Sequence, residues 1–96
     1  MLLLRANLEA SEANPRFAGG TKIAALLFIA VPDLDTAEER ASSELGGKGW
    51  RRMETERIKE VTDYAQFEGR EDVVGQAFRD AQASGFGFVL YPELGT

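Results

Sequence analysis

With 96 residues, 44% of them hydrophobic and 28% charged, the chain has the make-up of one globular domain, residues 1–96, with a modest core. It has no cysteine, which excludes disulfides, thiol nucleophiles and cysteine metal sites, and no histidine, the commonest general base, metal ligand and pH switch. A net charge of −5 opposes binding to phosphate backbones, so neither nucleic acid nor an anionic membrane is expected as a partner, whereas a basic protein is compatible.

At the N-terminus MLLLR begins apolar, but Arg5, Asn7 and Glu9 interrupt it before the apolar core of a secretory signal could form. A cytoplasmic location is therefore expected. From residue 2 to residue 10 apolar and other residues alternate: Leu2, Leu4, Ala6, Leu8 and Ala10 on one side, Leu3, Arg5, Asn7 and Glu9 on the other. A period of two predicts a strand with one buried face. Residues 12–21 (EANPRFAGGT) hold two turn signals, Asn14-Pro15 and Gly19-Gly20, and predict a connection that is either a loose hairpin loop or one whose Phe17 folds back on the core.

The stretch from Lys22 to Pro32 contains an unbroken apolar run, Ile23 to Val31. That is too short for a membrane helix, which needs about 20 residues, and fits a strand buried on both faces. Pro32 lacks the N–H a ladder needs and ends it. A helix is predicted over residues 35–45, with Asp35 and Glu38 as a capping box, Asp33 as a competing cap, and an apolar stripe of Ala37, Ala41 and Leu45. Gly46-Gly47 should end it with a left-handed glycine.

Residues 50–63 (WRRMETERIKEVTD) place Trp50 and Ile58 in one strand phase, Met53 and Val61 in the other. Their residue types suit a helix, yet the helix before them has just ended, and dense charge suits an edge strand that must not pair with other chains. A strand is the reading taken, and its change of phase requires a bulge or an exposed edge. After a turn over 62–69, a second helix is predicted at 70–84. Its stripe is Val74, Ala77, Phe78 and Ala81, with Glu71 and Asp72 in the first turn and Gly75 as a place of close approach. Gly85 closes it, and residues 86–91 (FGFVLY) form a last strand stopped by Pro92.

This order, ββαβαβ, predicts an α+β two-layer sandwich with a four-stranded mixed sheet ordered 86–91, 22–32, 2–10, 50–63 and both helices on one face. Element order and the helix–Gly-Gly–Trp–strand junction around Gly46, Gly47 and Trp50 give the chain a resemblance to small bacterial domains of unknown function with a ferredoxin-like fold. The resemblance is one of fold and implies no activity.

Chemical motifs are sparse. Gly46-Gly47-Lys48-Gly49 follows a helix, whereas a phosphate-binding loop must open one, so it reads as a helix stop. Glu54 and Glu56 have Arg51, Arg52, Arg57 and Lys59 for neighbours and read as a charge-mixed edge; Asp33 and Asp35 read as helix-start residues. No catalytic residue, cofactor site or metal site is assigned.

With both helices on one side, the other side of the sheet would expose Leu26, Phe28, Phe88, Val89 and Tyr91, an apolar patch of the kind that marks an interface. Trp50, beside a flexible glycine turn, is the candidate neighbour of a ligand. The functional expectation is a non-enzymatic interaction module that forms a homodimer or binds a partner protein through the open face. The alternatives are a small-molecule-binding regulatory domain and an enzyme of the dimeric α+β barrel type working without histidine or cysteine.

Overall fold

In the computed structural model, which describes residues 1–91, the alternating N-terminal stretch is strand β1 (Leu2–Ala10). Leu4, Ala6, Leu8 and Ala10 are wholly buried on its even face. The hairpin partner β2 (Lys22–Ile29) is antiparallel to it, Leu2 opposite Ile29 and Glu9 opposite Lys22. β2 stops short of Pro32: Val31 N–H bonds to Ile29 O at 3.0 Å, a tight turn that leaves the ladder. The intervening loop is pinned to the hairpin, with Ala10 N–H donating to Thr21 O and Gly20 N–H to Ala10 O, both at 2.8 Å. Phe17 lies against the core, the second of the two expected arrangements, its ring 5.9 Å from Trp50.

Helix α1 (Leu34–Gly46) begins at Asp33, whose carboxylate accepts from Thr36 N–H (2.8 Å) and Thr36 Oγ1 (3.0 Å). Asp33 is therefore the cap and Asp35 a first-turn anion, the reverse of the capping-box expectation. The stripe Ala37, Ala41 and Leu45 is buried. Gly47 at its end is right-handed (φ −76°), and the left-handed turn falls instead at Gly49 (φ +91°), where an added Cβ would lie 2.6 Å from Asn14 Cα.

Strand β3 (Trp50–Glu60) pairs antiparallel with the other edge of β1. Its register slips between Arg5 and Ala6 and again between Glu9 and Ala10, an irregularity that accommodates the phase change. The expected turn after it contains a short helix, α2 (Ala65–Glu68), which buries Phe67. Helix α3 (Val73–Ser84) starts later than predicted because Asp72 caps it, accepting Gly75 N–H at 3.1 Å. Glu71 thus precedes the helix instead of lying in its first turn. Gly75 is a point of close approach: an added Cβ would sit 2.1 Å from Arg70 O. Gly85 takes the left-handed C-terminal position (φ +93°), and β4 (Phe86–Leu90) follows. The expected stop at Pro92 lies outside the described residues.

The sheet order is β3-β1-β2-β4, and every neighbouring pair is antiparallel, so the sheet is not mixed. β2 and β3 run in the same direction with β1 inserted between them, while β4 opposes β2. The second helix therefore does not link parallel strands.

The larger correction concerns the helices, which occupy opposite faces. Ala37, Ala41 and Leu45 of α1 share a core with Leu4, Leu8, Leu27 and Ile29. Val74, Ala77, Phe78 and Ala81 of α3 share another with Phe28 and Val89, joined by Phe67 of α2. Leu27 and Phe28 are consecutive in β2 and point to opposite sides of the sheet. A strand apolar in both phases needs cover on both sides, and one helix per side supplies it within a single chain.

Candidate functional site

The five residues expected to form an exposed patch are not one surface. Phe28 (0% exposed) and Val89 (3%) lie beneath α3, with Leu26 packed partly against the same cluster. Phe28 meets Phe67 and Phe78 edge-on, with ring centroids 5.1 and 5.7 Å apart. Phe88 points to the opposite face and packs partly against the α1 core. Tyr91 lies under Arg5, whose guanidinium carbon is 4.9 Å from the ring centroid. The apolar face is closed from within, and no partner is needed to cover it.

Trp50 is 6% exposed and separates two shallow grooves. One, about 250 Å³, runs between the end of α1 and β3 and is lined by Ser42, Leu45, Arg51 and Met53. The other, about 180 Å³, is lined by Pro15, Phe17, Lys48 and Phe88. Asn14 shapes the second: its Oδ1 accepts from Arg16 and Phe17 N–H, both at 2.9 Å, and its Nδ2 donates to Gly49 O at 2.9 Å. The glycine turn is thereby tied to the hairpin loop and serves as a helix stop, with Lys48 N–H bonding to Leu45 O at 2.9 Å.

Beyond the reach of α3, the face of the β1–β3 half is polar. Glu56 accepts a hydrogen bond from Asn7 and faces Arg5 at 3.6 Å; Arg51 bonds to Glu9 and reaches Glu12 at 3.4 Å. The edge is charge-mixed as expected, but these pairs cross to β1 and the hairpin loop and do not join Glu54 and Glu56 to the cations of their own strand. Such exposed pairs contribute little to stability. The hydrogen bond from Arg51 holds the Glu9 carboxyl below the ordinary range. Asp72 is likewise lowered, chiefly by its bond from Arg70 and then by Gly75 N–H, and Asp33 by the Thr36 N–H and hydroxyl. Among the described residues no three acidic side chains converge as a metal site requires.

A pH dependence follows. Carboxyls whose folded pKa is depressed contribute stability above their unfolded values, near 4, and that contribution is lost as pH falls through the folded values. The chain has no histidine or cysteine to titrate at intermediate pH. The melting temperature should be flat from about pH 5 to 8 and fall below about pH 4. Asp72→Asn should flatten part of the acid limb, as followed by circular dichroism. An unfolding midpoint that moves between pH 5 and 8 would contradict this reading.

The remaining feature is the free side of β4. Ala30 N–H donates to Gly85 O at 3.0 Å, and in an antiparallel ladder bonded pairs recur every second residue. Gly87 and Val89 therefore bond toward Phe28 and Leu26, whereas the N–H and C=O groups of Phe86 and Phe88 and the N–H of Leu90 point outward. Among the described residues only the Ser84 hydroxyl meets them, at Phe86 O (3.3 Å). The edge forms the floor of a groove of about 450 Å³, with Glu44 and Lys48 on one rim and Asp80, Ala83 and Ser84 on the other.

The two sheet edges differ sharply. β3 is charged along its length and its pairing is twice irregular, the devices by which proteins block strand addition. β4 reads FGFVL, with no charge, no proline and a regular register. The expected strand order already put residues 86–91 at this end of the sheet; the groove in which the strand lies is what periodicity could not reveal.

No protein-family model, curated protein or solved structure matches the chain. No helix of the described residues is long and apolar enough to cross a membrane.

Proposed function

We propose that the protein is a small, non-enzymatic interaction module of the bacterial cytoplasm, which acts by joining another protein chain along β4. The observation that carries this is the uncharged, regular β4 edge lying in a groove, opposite an edge that is charged and irregular. Outward main-chain groups give a strand partner its affinity, and side-chain pockets beside the edge give selectivity. The likeness to ferredoxin-like domains rests on the split unit of β2, α1 and β3, and it supplies no activity of its own.

The test is the mass of the protein in solution and its cross-linking in the cells of origin. A species above 10.5 kDa at micromolar concentration, or a specific cross-linked protein partner, is expected. A 10.5 kDa species that cross-links to no protein would overturn the proposal. A second reading, a small-molecule-binding regulatory domain, is favoured by the two grooves that flank Trp50. It expects Trp50 fluorescence to respond to a metabolite set; an unchanged spectrum counts against it.

A further inference from the structure

We infer that the chain joined along β4 is a second copy of this one, making a two-fold dimer with a continuous eight-stranded antiparallel sheet; this rests on the interaction-module reading above. The outward groups belong to Phe86, Phe88 and Leu90, a set symmetrical about Phe88. An antiparallel copy brings Phe88 opposite the partner's Phe88, where each N–H donates to the other's carbonyl. Phe86 then faces the partner's Leu90, whose N–H donates to the Phe86 carbonyl, and Leu90 N–H donates likewise to the partner's Phe86. A closed two-fold contact of this kind uses one patch twice and adds no third copy.

Charge on the groove rims favours the same arrangement. Glu44, tied through Arg40 to Ser84 O, stands toward the start of the edge, and Lys48, in the turn after α1, lines a groove with Phe88 and Leu90 farther along it. A two-fold axis through the strand centre reverses their order in the second copy, so each carboxylate comes to the partner's ammonium. Arg40 donates to one oxygen of Glu44 (Oε1, 3.1 Å) and to Ser84 O (2.9 Å), and the other Glu44 oxygen is left to accept from the partner's Lys48. On the opposite rim Ala83 and Ser84 are uncharged, and Asp80, the one charged group there, accepts from Gln76 at 2.9 Å. A foreign peptide would have to bring its own matching charges, whereas a second copy has them already.

Sedimentation velocity on the purified chain, with amide exchange read by NMR, tests this. A dimer is expected, with the Phe88 and Leu90 amides becoming protected as concentration rises. The Gly87 and Val89 amides, bonded within the chain, should be protected throughout. Glu44→Lys and Lys48→Glu should each weaken dimerisation roughly tenfold, and the double variant should restore it. Circular dichroism confirms that these surface variants fold. A monomer at every concentration, a dimer with Phe88 left unprotected, or a double variant no better than the singles would overturn the inference. If cross-linking then finds a different protein on β4, the interaction-module reading survives without the dimer; if it finds none, both fall.

Discussion

Gly87→Ala is expected to destabilise the protein by about 3 kcal/mol or more, enough to unfold much of it at physiological temperature. Gly87 lies in the middle of β4 with an ordinary backbone, so conformational freedom is not the reason. Its bare Cα lets α3 approach until the place of a Cβ is only 1.9 Å from the Ala77 carbonyl oxygen and 2.8 Å from its carbon. Those are backbone atoms in the centre of a helix and cannot rotate aside. A methyl must push α3 off the sheet and open the core around Phe28 and Val89. Gly46→Ala is the control: an added Cβ there meets nothing within 4 Å. It should be neutral or stabilising by about 0.5 kcal/mol. Urea denaturation of the two variants would check both values, and equal midpoints would refute the close approach.

Phe28→Ala should cost about 3–5 kcal/mol. The ring is wholly buried and is held between Phe67 and Phe78, so its removal leaves a cavity that rigid aromatic neighbours fill poorly. Leu26→Ala, on the same face but only partly buried, should cost clearly less. The comparison separates the two accounts of this face. If Phe28 were an exposed interface residue, its loss would leave the isolated chain nearly as stable as before and change only its association. A denaturation midpoint unchanged in Phe28→Ala would restore that account.

Much of the fold was readable in local pattern. The strict alternation of residues 2–10 specifies β1 and its buried face, and the two turn signals place the hairpin. The change of phase in residues 50–63 called for a bulge or an exposed edge, and β3 has both. Leu26 and Phe28 were separable from Leu27 and Ile29 by phase alone. What covers each phase was not readable, because that depends on which way β4 runs and so on which side the last helix crosses. The choice of Asp33 over Asp35 as cap turns on one residue of backbone geometry. α2, a single turn, is too short to show a period. Arg5 meets Tyr91 from the far end of the chain, a pairing that no local pattern can announce.

The candidate site was legible in parts only. Dense charge identified β3 as a defended edge, a local property of its residues. The expected strand order also put β4 at the other end of the sheet, but the groove between α1 and α3 residues in which it lies depends on helix placement and was not readable.

The division of the interior by the sheet has a spectroscopic consequence. Trp50, the single tryptophan, belongs to the core on the α1 side. Tyr64, edge-on to Phe78 at 5.4 Å, reports on the aromatic core beneath α3. Tryptophan emission and near-ultraviolet tyrosine dichroism are thus built-in gauges of opposite halves of one small domain. Because β2 contributes to both halves, the two signals should melt together.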